Sequence, residues 1–182
     1  WGNFMGKERW REALVMDLGR SSLVFPQLWG DPNLLGDEDI QFLGKMIELA
    51  RVNDRILHRP RRTFGDTWKN EPYGYAFAEE GRGLIFCHNV HFESRPVTIR
   101  LDRTLGFSAP TGTPLRITAH FPERTQFLSD ENSPVQAGSA FQLWMRPFET
   151  LLLEVGADPG NLPERRISQT RDGHLGGRLP LA

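Results

Sequence analysis

The stretch Tyr73–Asn89, YGYAFAEEGRGLIFCHN, decides how the rest of the chain is read. Tyr73, Tyr75 and Phe77 alternate with Gly74, Ala76 and Ala78, the period of two that puts large rings on one face of a strand. Glu79-Glu80-Gly81-Arg82-Gly83 supplies the charge and glycine of a tight connection. Leu84-Ile85-Phe86-Cys87 is a continuous apolar run, as in a strand covered on both faces. His88-Asn89 closes it with turn chemistry. The spacing predicts a β-hairpin. Residues after it keep the strand rhythm, and residues before it read as helical. The division falls between His58 and Pro72.

Bulk composition is that of a globular protein. The chain has 182 residues, 38% hydrophobic and 25% charged, with a formal net charge of −1. That balance does not favour a nucleic-acid or anionic-membrane partner. A single cysteine, Cys87, rules out an intramolecular disulfide and a cysteine-based zinc site. No apolar run approaches the roughly 18 residues of a membrane span. A soluble protein is expected, with both the bacterial cytoplasm and export left open. The first residue is Trp1, so the natural start is expected upstream.

In the first part, Trp10, Ala13, Leu14 and Leu18 make one face of a helix over residues 7–18, with Gly19 as its stop. Leu23-Val24-Phe25 is a short strand closed by Pro26. Gln27–Gly36 is a loop around Asp31-Pro32-Asn33. Asp37 caps the longest helix, in which Ile40, Leu43, Ile47 and Ala50 share a face and Ile56 and Leu57 extend it. Arg51, Arg55 and His58 suit its C-terminal end. Leu43, Ile47 and Ala50 are expected to be buried.

In the second part, residues 97–101, 115–121, 126–128, 140–145 and 148–155 read as further strands. With the hairpin they total about seven, the pattern of an antiparallel sandwich. The fold class is therefore α+β, an N-terminal helical α/β segment followed by an antiparallel β-sandwich. Residues 59–72 read as a linker whose Arg59, Arg61 and Arg62 are solvated. Residues 156–182, rich in Gly, Pro and Arg, read as a mobile tail.

The phrases PYGYAF, GLIFCHN, TIRLDRTLGF and LWMRPFETLLLEV resemble the C-terminal module of (β/α)8-barrel glycoside hydrolases of the α-galactosidase (melibiase-like) kind. WREALVMDLG and LWGDPNLLGDEDIQFL are similar to the last helices of such a barrel. The resemblance implies that residues 1–58 end the barrel and residues 73–155 form a sandwich beside it. It implies a C-terminal fragment of a glycoside hydrolase, with a carbohydrate substrate, the upstream barrel as partner and no cofactor. A non-catalytic carbohydrate-binding or structural sandwich is the alternative. The two carboxylates such enzymes use, about 5 Å apart in retaining examples, map onto no residue here.

In a barrel, function lies on the loops that follow strands. On this resemblance residues 1–6 and 27–36 open onto the catalytic face. Trp1, Asn3, Trp29, Asp31 and Asn33 are then the candidate substrate-binding residues, since sugars need aromatic faces and groups that fix hydroxyls. Turn shaping by Asp31 and packing by Trp29 compete with that role. Other clusters carry less. His88 and His91 lack a third ligand for a metal, since Cys87 is expected to face the sheet core, and no metal site is expected. Glu79-Glu80 is a hairpin tip. Glu149 and Glu154 would point to opposite faces of one strand.

Overall fold

The computed structural model describes residues 9–20, 32–129, 135–156 and 164–170. Helix α1 spans Trp10–Arg20, α2 Asp37–Val52 and the single-turn α3 Asp54–Leu57, with a 3-10 turn at Pro32–Leu34 before α2. The strands are β1 (Arg62–Phe64), β2 (Tyr73–Glu79), β3 (Arg82–His88), β4 (Arg95–Arg100), β5 (Pro114–Leu115), β6 (Ile117–Phe121), β7 (Thr125–Ser129), β8 (Val135–Gln136), β9 (Ala140–Met145), β10 (Thr150–Val155) and β11 (Glu164–Thr170). Nine of them join in the order β1-β2-β3-β10-β6-β7-β11-β9-β4, and β5 pairs separately with β8. The pairings are antiparallel except β7 with β11. Few helices and a mostly antiparallel sheet make the chain α+β.

The hairpin forms as the sequence predicts. β2 and β3 pair from Tyr73↔His88 to Glu79↔Arg82 around Glu80-Gly81. Alternation then sorts their side chains into two cores. On one side Phe77, Leu84 and Phe86, with Leu152 and Phe121, meet Trp10, Leu14, Val15 and Leu18 of α1, Met46 and Ala50 of α2, and Ile56 of α3. On the other side Ala76, Ile85 and Cys87, with Leu151, Leu153 and Val155, meet Val97 and Ile99 of β4 and Phe141, Leu143 and Met145 of β9. Leu84 through Cys87 are all fully buried, which is why the run carries no polar residue.

The helical part differs from its sequence reading in four places. Gly36, not Asp37, is the N-cap of α2. Gly19 lies inside α1 and is buried against β3, rather than stopping the helix. A Cβ there would sit 2.5 Å from Phe86 Cγ, so close approach of helix and strand requires glycine. The longest helix breaks at Asn53, whose side-chain amide donates to the Leu49 carbonyl at 3.1 Å. Finally, Ile47 is 43% exposed and Ile40 53%, whereas Met46 and Ala50 are buried. The docked face of α2 is centred on Asp39, Met46 and Ala50, and the isoleucines fall to one side of it.

Asp39 explains that rotation. Its Oδ1 accepts from Trp10 Nε1 at 3.1 Å and from Arg11 Nη2 at 2.6 Å, and its Oδ2 accepts from Gly36 N at 3.1 Å. One carboxylate thus joins α1, α2 and the start of α2. Burial alone would raise its pKa, but the Arg11 hydrogen bond, with help from Gly36 and Trp10, holds it at about 2.

The expected linker and tail both carry structure. Residues 59–72 include β1 and a 3-10 turn at Thr67–Lys69. Arg59, Arg61 and Arg62 are exposed, as expected of a solvated stretch, but two of them also make surface contacts. Arg61 lies 5.0 Å over the Tyr75 ring and donates to the Arg20 carbonyl, and Arg59 and Arg55 both bind Glu79. β11 falls within the expected tail, where it links β7 to β9. Backbone pairing, which composition does not report, holds it. The strand predicted over 148–155 begins at Thr150, because Phe148 has a left-handed φ of 55° in the preceding turn. The predicted strand Leu23–Phe25 lies outside the described residues.

Gly19→Ala tests the seating of α1 on β3. Helix propensity favours alanine by about 1 kcal/mol, whereas overpacking costs about 1–3 kcal/mol. The clash is with the base of a buried ring, so packing should win and urea denaturation should show a net loss of stability. A gain would mean that α1 does not rest on Phe86.

Candidate functional site

Of the residues singled out in the sequence, Trp1, Asn3, Trp29 and Asp31 lie outside the described residues. Asn33 is on the surface of the 3-10 turn that precedes α2. Elsewhere among the described residues, three regions stand out.

One concavity, about 860 Å³, lies between α2 and the adjacent strands β6 and β10. Phe42, Met46, Leu49 and Asn53 form one wall, and His120, Arg124 and Glu154 the other. A β-bulge creates the second wall. Leu152 pairs with Phe121 but Leu153 pairs with Ala119, leaving His120 as the extra residue. The bulge lets His120 and Phe121 face the helices together. His120 Nε2 then lies 2.7 Å from Glu154 Oε2, and both side chains are mostly buried. Glu38 and Glu48 also border the cleft, but on its solvent rim, with side chains 91% and 66% exposed. A glycosidic acid/base mechanism needs two carboxylates at a fixed separation, and only Glu154 reaches the inner wall. The cleft can hold a polar group but does not present that pair.

A second cluster ends β3 on the same side of the sheet. His88 Nδ1 lies 2.8 Å from Thr150 Oγ1, and Tyr73 meets both His88 and Tyr75 edge-on. Cys87 points the other way, with its thiol 3.3 Å from Met145 Sδ. The two neighbours cannot chelate one ion, and among the described residues no group of three metal-ligating side chains forms. Burial pushes the Cys87 thiol well up, so it stays protonated and inert. Glu149 and Glu154 do not share a strand, contrary to expectation, since β10 begins at Thr150. Glu149 Oε2 accepts from Arg146 N at 2.7 Å within the turn before β10.

The third region is aromatic. Trp68 is 95% exposed, Phe92 70% and Trp144 38%. Phe92 stacks on His91 with centroids 4.2 Å apart. Asn89 fixes that loop, its amide donating to the Glu93 and Arg146 carbonyls at 2.9 Å each. The sequence reading passed over Trp68 because one tryptophan in a basic, turn-like stretch has no periodicity to mark it.

Two solved structures share this arrangement of helices and strands. One is a candidate α-N-acetylgalactosaminidase from Bacillus halodurans C-125, with a TM-score of 0.55, 13% identity and 81% of this chain covered. The other is a glycoside hydrolase family 27 β-L-arabinopyranosidase from Geobacillus stearothermophilus in complex with arabinose, with a TM-score of 0.52, 11% identity and 81% covered. The likeness is one of fold. The chain spans about a third of each of those proteins, 31% and 30%. No family model matches the sequence, and no curated protein does. Among the described residues no helix is long and apolar enough to cross a membrane.

The His88 cluster yields a pH prediction. Burial lowers the His88 pKa from the ordinary 6.5, the Arg9 charge lowers it further, and Glu12 opposes them. Its folded pKa is thus below its unfolded one. The stability it contributes is fully present above pH 6.5 and is lost as pH falls through the folded value. Urea midpoints measured from pH 7.5 to 5 should fall on the acid side, and His88→Gln should flatten that slope. An unchanged slope in the variant would show that His88 is not the titrating group.

Proposed function

We propose that the chain is the C-terminal portion of a glycoside hydrolase of the α-galactosidase-like class. On this reading α1 and α2 are the closing helices of a (β/α)8 barrel, and the strands form a sandwich that buttresses it. One observation carries the reading. The fold likeness extends over 81% of this chain, in two proteins whose names are those of glycosidases. The side of α2 bearing Ile40 and Ile47 supports it, because two half-exposed isoleucines a helical repeat apart suit packing against further barrel elements.

The substrate is then a glycoside. The loops at 1–6 and 27–36 open onto the barrel face where such enzymes work, and Trp1, Asn3, Trp29, Asp31 and Asn33 contact the sugar. The catalytic carboxylates lie on barrel strands upstream of Trp1. A stand-alone sandwich with a helical appendage is the weaker reading. Trp10, Leu14 and Phe86 share one core, so the helices are built into the fold.

Two measurements test the proposal. The chain by itself should show no turnover of aryl α- or β-galactosides, and the sequence encoded ahead of Trp1 should carry two strand-end aspartates within a barrel rhythm. Turnover that disappears in Asp31→Asn would overturn it. Ile47→Asp should change the stability of this chain by less than about 0.5 kcal/mol, as surface substitutions do, yet destabilise the full-length protein. Equal effects in both would mean that nothing docks on α2.

A further inference from the structure

The hydrolase reading leaves one surface unused. The turn that carries Trp68 is tightly held. Asp66 Oδ1 accepts from Trp68 N at 3.0 Å, Glu71 Oε2 accepts from Asp66 N at 3.1 Å, and Lys69 Nζ lies 3.4 Å from Asp66 Oδ2. Backbone bonds from Lys69, Asn70 and Glu71 close the turn, and Asn70 takes a left-handed φ of 56°. None of these bonds involves the indole, which is 95% exposed. An indole that packs against nothing adds nothing to folding, and its whole apolar face remains available to a ligand.

Beside the turn lies a recess of about 430 Å³. Lys69, Asn70 and Glu71 line it from the turn, and Arg95, Thr98 and Gln142 from β4 and β9. Arg95 Nε is buried there without a hydrogen-bond partner. Pro96, which also lines the recess, pairs across the ladder with Trp144. Donors and acceptors are mixed. The cations have partners of their own, Lys69 in Asp66 and Arg95 in Glu93 at 3.0 Å. An anionic ligand would need free positive charge, and a lipid would need a broader apolar wall. A turn that exposes a flat ring, and whose next residues line a recess holding Asn70, Thr98 and Gln142 among paired charges, matches a sugar, whose C–H face stacks while its hydroxyls bond.

We propose that Trp68 and the adjoining recess bind a neutral oligosaccharide chain, with the indole as stacking platform and Thr98 and Gln142 as hydroxyl partners. The surface gives the ligand class. The choice of galactomannan as first probe rests on the hydrolase reading. Native electrophoresis of the chain in gels containing galactomannan, xylan or soluble starch tests it. Retardation by at least one polymer is expected, and it should be lost in Trp68→Ala and reduced in Gln142→Ala. Both variants should keep the wild-type circular dichroism and melting curve. Retardation by xylan or starch but not galactomannan would support the site while counting against the α-galactoside class. No retardation in any gel, or equal retardation of Trp68→Ala, would overturn the proposal.

Discussion

Burial of β3 and β10 on both faces is the constraint from which the rest follows. Leu84, Phe86 and Leu152 point one way, and Ile85, Cys87, Leu151 and Leu153 the other, all with almost no exposure. Each large apolar side chain so buried is worth about 1.5–3 kcal/mol. Neither face can be left to water, so the helices must cover one and the β4–β9 pair the other. This also decides how the chain can be divided. Sequence periodicity changes near residue 60, but a cut there would strip the cover from Phe77, Leu84, Phe86 and Leu152. The helical and strand parts share a core even though their patterns differ.

What was legible in the sequence is what local periodicity encodes. Alternating rings in Tyr73–Phe77 and the apolar run Leu84–Cys87 gave the hairpin and its two-sided burial, and the other main strands fell close to their predicted places. What was not legible depends on distant partners. Asp39, an acid in the first turn of α2, holds Trp10 and Arg11 of another helix, a role that its own neighbours in sequence do not mark. Gly19 read as a helix stop because only Phe86, far along the chain, explains it. Arg59 and Arg61 are exposed as read, but their surface partners Glu79 and Tyr75 lie across a gap that sequence does not close. The candidate sugar contacts were legible only through a family resemblance. Four of the five lie outside the described residues, so geometry neither joins nor separates them.

The β-bulge at His120 shows how one irregularity divides a surface. Before it, the helix-facing residues of β6 and β10 are Phe121 and Leu152, and they lie under α1 and α2. Past it they include His120 and Glu154, polar residues that line the open cleft. The change in chemistry coincides with the end of the helical cover. That coincidence favours a structural account of the His120–Glu154 pair, since a sheet face that emerges from a core must become polar somewhere.

The exposed apolar residues call for a different argument, because they are of two kinds. Ile40 and Ile47 lie on a regular helix, where aliphatic side chains at a helical repeat suit the ridges and grooves of another packed element. Trp68 lies on a short turn with its own closed hydrogen bonds, where the ring projects alone and a second helix or sheet would find too little area. A stable protein interface buries on the order of 800 Å² per partner, while a single aromatic ring offers roughly 150–250 Å². The first surface is scaled to a protein neighbour and the second to a sugar ring. The same molecule can therefore present both, and the rigidity of the Asp66–Glu71 turn is what separates an indole held ready for a ligand from one left over by folding.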